Sequence, residues 1–122
     1  MSVLRVFVVA LFLLIASSFA AAAEKTGLDF LRECEGRGTP ASQVGQLTCA
    51  AYLSGFIDSH ALVLAQLPAT WPRFCLPGEG VQIEQVMLIV TKWLRDNPSK
   101  LHESARSSIY IALAKAFPCR PQ

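Results

Sequence analysis

Apolar residues recur at helical spacing in four segments of this chain, and no segment keeps the alternation of a half-buried strand. The first segment, "TGLDFLRECE" over residues 26–35, sets Leu28, Leu31 and Cys34 on one side with Phe30 beside them. Thr26 or Gly27 can cap it, and Asp29 falls in the first turn, at the positive end of the helix. "GRGTP" then breaks the chain. A second helix is predicted with Thr39 as N-cap and Pro40 at the first helical position, continuing to Gln66. The Pro- and Gly-rich stretch "LPATWPRFCLPGEG" separates it from a third, over residues 82–96, whose stripe is Ile83, Val86, Met87, Val90 and Leu94. Asn97 and Pro98 end that helix and start a fourth. It runs to about Phe117, burying Leu101, Ala105, Ile109, Ala112, Leu113 and Ala116, and Pro118 stops it. The pattern predicts an all-α fold, a small bundle of about four to five helices.

The second helix carries the densest polar chemistry, in "TCAAYLSGFIDSH". At about 100° per residue, Tyr52, Leu53, Phe56, His60, Val63 and Leu64 fall within about 60° of Cys49, and Ile57 lies at the margin. Asp58 sits about 180° away, and Ser59 diverges from His60. A nucleophile–base–acid relay needs convergent side chains, so no catalytic residues are assigned. His60 reads as a satisfied or half-buried histidine and His102 as a residue on a solvated face of the fourth helix. Ala51, Gly55 and Ser59 form a stripe of small residues that lets another helix approach closely. Trp93 borders the third stripe and reads as core.

The N-terminus changes the compositional picture. Arg5 precedes the apolar run from Val6 to Ile15, and small residues lead to Ala20 and Ala22. This is the layout of a secretory signal peptide over residues 1–22, cleaved after Ala22, leaving a single domain over residues 23–122 with no membrane association. The alternative is an uncleaved membrane anchor, for which the run is short of a span of about 20 residues. Beyond the leader, ten Lys and Arg face nine Asp and Glu, a balance that points to neither nucleic acid nor an acidic membrane surface.

Cys34, Cys49, Cys75 and Cys119 all lie past the leader. In an exported chain this small they read as two disulfides, formed in an oxidising compartment such as the periplasm. The spacing contains no CxxC pair, so no metal site is assigned, and no cofactor motif occurs. Three connectivities are open to four cysteines. The expected one joins Cys34 to Cys49 across the "GRGTP" turn and Cys75 to Cys119 at the end of the last helix. By chain entropy these closures contribute about 3 and about 4 kcal/mol.

"FLREC", "CAAYLSGFIDS", "CLPGEGVQIEQVMLIVTKWLRDNPSKLHESA" and "ALAKAFPC" occur in that order. Together they resemble the Rap/Tai family of periplasmic immunity proteins, the immunity domain of type VI secretion amidase systems, over nearly all of the chain past the leader. Gln82 departs from the pattern, standing where many members place a Thr able to cap the third helix. The resemblance implies a disulfide-stabilised helical protein that binds a cell-wall amidase effector and occludes its active-site cleft, performing no chemistry itself. It further implies that a protruding loop enters that cleft, and it makes a homodimer, the state of some members, a candidate assembly. A helical binding module of the same family acting on an endogenous envelope protein is the alternative.

The loop over residues 67–80 is the candidate for partner binding. Trp71, Arg73 and Phe74 are of types enriched at interface hot spots. Prolines 68, 72 and 77 and Cys75 limit its mobility and so the entropy lost on binding. The competing expectation is that Trp71 and Phe74 simply lid the helix ends.

Overall fold

The computed structural model describes residues 23–36, 40–68 and 73–120. The expected leader with its Ala22 cleavage site, the Thr39 cap and Trp71 lie outside the described residues.

Thr26 begins α1 (Gly27–Glu35) because it satisfies two otherwise unpaired amides at once. Its Oγ1 accepts from the Asp29 amide at 3.2 Å, and the Asp29 carboxylate accepts from the Thr26 amide at 3.3 Å and from the Thr26 hydroxyl at 2.8 Å. These hydrogen bonds hold the Asp29 carboxyl below the usual carboxylate range, the hydroxyl bond being the larger cause. Helix α2 (Pro40–Leu64) is by far the longest of the bundle, and α3 (Ile83–Asp96) follows the 67–80 loop. Gln82 caps α3 by position only, since its side chain makes no capping hydrogen bond.

The predicted fourth helix is divided. Pro98–Lys100 forms a single 3-10 turn, residues 101–103 are non-helical, and α4 (Ala105–Ala116) starts afresh on a Ser104 cap. The interruption has a clear cause. The carbonyls of Leu101 and Glu103 accept from the amides of Leu28 and Gly27, both at 2.9 Å, and the Ala105 amide donates to Lys25 at 2.8 Å. The corner thus straps down the start of α1 instead of continuing as helix. Leu101 is consequently only half-buried, His102 is exposed in the turn before α4, and Ala116 is exposed at its end. Gly27 sits where this strap closes against the bundle. A Cβ there would lie 3.0 Å from Leu94 Cδ2 and 3.4 Å from the Leu101 carbonyl oxygen.

The four helices enclose one core. Phe30 from α1, Leu53 from α2, Val86, Val90 and Leu94 from α3, and Ile109 and Leu113 from α4 are fully buried. Tyr52 tilts against Phe30 with ring centroids 5.5 Å apart. Trp93 packs half-buried against this cluster, with Lys115 Nζ 6.0 Å from its ring centroid. The disulfides join Cys34 to Cys49 and Cys75 to Cys119, the expected connectivity.

Helix α2 departs from its predicted face. Cys49 and Leu53 are buried, and Tyr52, Phe56, Ile57 and His60 are half-buried, as the wheel requires. Val63, placed on the same face, is 49% exposed because the core ends before the last turn of the helix.

Candidate partner-binding surface

The loop after α2 is tied at its root from three directions. Arg73 Nη2 donates to the Pro68 carbonyl at 2.7 Å. The Cys75 amide donates to the Phe117 carbonyl at 2.9 Å, and Phe74 pairs with Pro118 in an isolated bridge. The Cys75–Cys119 disulfide covers the same junction.

Phe74 corrects a sequence expectation. Its side chain is 2% exposed and belongs to the core, so it anchors the loop and offers no surface to a partner. Its ring lies flat on His60 with centroids 3.8 Å apart, and it also meets Phe56 at 6.4 Å and Tyr110 at 6.2 Å. His60 Nε2–H donates to the Phe74 carbonyl at 3.3 Å, which fixes that tautomer because a carbonyl can only accept. The imidazole thus holds the loop to α2. Ser59 Oγ donates to the Phe56 carbonyl at 2.9 Å and Asp58 is exposed, so the three neighbours do not converge.

Beside this root runs an open groove between α2 and α4. Ala51, Gly55 and Ser59 line one part, of about 500 Å³, with Tyr52 and Phe56. Tyr110, Ile111 and Ser107 line an adjoining part of about 480 Å³, and Phe56 and Arg106 belong to both. The small-residue stripe was expected to let another helix approach closely. Instead, a Cβ built on Gly55 meets nothing within 4 Å. Among the described residues no element covers the stripe.

The apolar character continues along the outer side of α2, where Val44, Leu47 and Leu62 are 63%, 71% and 65% exposed. By length and composition alone α2 could cross a membrane, yet only 11% of its most apolar window is buried. A helix that is apolar all round is ordinarily covered on all sides. This one is tied to the core by Cys49 and Leu53, flanked by the half-buried Tyr52, Phe56, Ile57 and His60, and left bare on its outer side.

Residues 26–119 match the family model of the Rap1a immunity proteins. The chain belongs to the Rap1a immunity family. The match opens at the Thr26 cap and closes at Cys119, so both disulfides, the loop and the groove of this Rap1a protein fall inside it. No curated protein matches the chain. Within the Rap1a fold, Arg106, Tyr110 and Ile111 complete a surface that the sequence reading missed. The signal was present: Tyr110 and Ile111 are apolar or aromatic positions beyond what the Ala105, Ile109, Ala112 and Leu113 stripe needs.

Proposed function

We propose that this immunity protein acts in the periplasm by binding a peptidoglycan amidase effector of a type VI secretion system and occluding its active-site cleft. The 67–80 loop enters the cleft through Trp71, with Arg73 contacting the enzyme from the loop's root, and the α2–α4 groove receives the rim of the enzyme. One observation carries the reading. A bare apolar groove walled by Phe56 and Tyr110 adjoins a loop root that is itself rigidly fixed. Apolar surface of this kind, rimmed by polar side chains, marks interaction sites on folded domains. A root held by Phe74, His60 and Cys75 leaves little entropy to be lost when the tip docks. Membership of an immunity family suggests that the role is non-enzymatic, and the disulfides are compatible with an oxidising compartment.

The test is co-expression with a neighbouring amidase effector exported to the periplasm, scoring lysis, together with calorimetry on the purified pair. The double variant Trp71→Ala, Arg73→Ala is expected to weaken binding at least about 30-fold, the size of a hot-spot loss, with unchanged helical circular dichroism. Gly55→Trp, which fills the groove, is expected to do the same. Unchanged affinity in both variants would remove the loop and the groove from the interface.

The bare outer side of α2 favours a second contact, with another copy of this chain through Val44, Leu47 and Leu62. Sedimentation equilibrium of wild type against Leu47→Glu tests it, and a wild type that stays monomeric at high concentration sinks it.

A further inference from the structure

The two disulfides occupy opposite environments. Cys34 is 7% exposed and Cys49 fully buried, both within the core cluster. Cys75, by contrast, is exposed and Cys119 half-buried, at the edge of the bundle. Exchange requires a thiolate to reach a sulfur, so access separates the two bonds. What each bond supports also differs. Cys34–Cys49 joins α1 to α2 through the packed interior. The junction under Cys75–Cys119 has independent attachments in the buried Phe74 ring, the Cys75–Phe117 backbone hydrogen bond and the His60 hydrogen bond.

We propose that Cys75–Cys119 is a thiol-exchange site, opened in the native protein by a dithiol reductant while Cys34–Cys49 stays closed and the bundle stays folded. A thiolate of the reductant attacks Sγ of Cys75, forming a mixed disulfide and expelling the Cys119 thiolate, which takes a proton from water. The second thiol of the reductant then displaces Cys75 and closes its own disulfide. The protein gains two hydrogens and the dithiol is oxidised by two electrons. Opening removes the covalent tie between residues 75 and 119, while the Phe74 ring, the Cys75–Phe117 hydrogen bond and the Phe74–Pro118 bridge keep the junction seated. The inference concerns this junction alone and stands whether or not the loop binds an effector.

The experiment treats the folded full-length domain with dithiothreitol, quenches with iodoacetamide at successive times, and maps the labelled cysteines by mass spectrometry. Circular dichroism is followed in parallel. Labelling of Cys75 and Cys119 is expected to outpace that of Cys34 and Cys49 by at least about a hundredfold, because the buried pair must wait for opening of the core. Helical signal should persist throughout. Simultaneous labelling of all four cysteines, earlier labelling of Cys34 and Cys49, loss of helical signal in step with labelling at Cys75, or no labelling under conditions that fully reduce the urea-unfolded chain would each overturn the proposal.

Discussion

Helices α2 and α3 are both rich in apolar residues, and they spend them differently. In α3 the apolar positions gather on one stripe, so Val86, Val90 and Leu94 are fully buried, and Leu88 is its one large apolar side chain left bare, 69% exposed. In α2 the apolar positions go round the whole circumference, and the core claims only Cys49 and Leu53 completely. The contrast teaches how to divide hydrophobic content. What the core needs shows as a stripe of helical period, and what exceeds it is left on the surface.

Breaking the contrast is simplest by truncation. Leu94→Ala in α3 and Leu53→Ala on the inner side of α2 should each destabilise by about 2–5 kcal/mol in urea denaturation, through lost burial and the cavity left behind. Leu62→Ser on the outer side should stay within about 0.5 kcal/mol of wild type. A cost of several kcal/mol for Leu62→Ser would show that the outer side of α2 is structural after all.

Smaller changes sharpen it. Gln82 holds the extended backbone of an N-cap, φ −66° and ψ 140°, without its hydrogen bond. Gln82→Thr supplies a hydroxyl short enough to reach the N3 amide, and should raise the stability of the folded state by about 1 kcal/mol. Gly55→Ala adds a methyl group into open space on an α2 face that nothing covers. It should therefore stabilise the isolated protein by about 0.5–1 kcal/mol on helix propensity, read as a higher denaturation midpoint. A loss of stability would place hidden contacts over that glycine.

The smallest effect belongs to the α1 cap. Because the folded state holds the Asp29 carboxyl below its unfolded value, its contribution is complete above the ordinary carboxylate range. It disappears as pH falls through the lowered value. The stability difference between wild type and Asp29→Asn should accordingly shrink to nothing on acidification, as followed by thermal melts across pH.

Much of the fold was legible because single side chains decide it. Thr26 and Asp29 announce α1, Pro40 opens α2, and the period-3.6 stripe of α3 leaves no alternative. The break before α4 was not legible, since the sequence "NPSKLHES" reads as a good helix start at Pro98. The decision lies in long-range hydrogen bonds from Leu28 and Gly27 to Leu101 and Glu103. The surface was half legible. The loop stood out by its composition, but Phe74 has the same residue type whether it faces a partner or the core. Its 2% exposure follows from His60, Phe56 and Tyr110, residues distant in sequence. The groove escaped notice because it is defined by what is missing above Gly55.

The strap that ties residues 25–28 to residues 101–105 has a consequence for how the molecule comes into being. A polypeptide emerges from its N-terminal end, whether from a ribosome or through a pore. The earliest amides of this domain therefore acquire their acceptors only when nearly all of the rest has arrived. Partial chains lack this closure, and the domain is completed late.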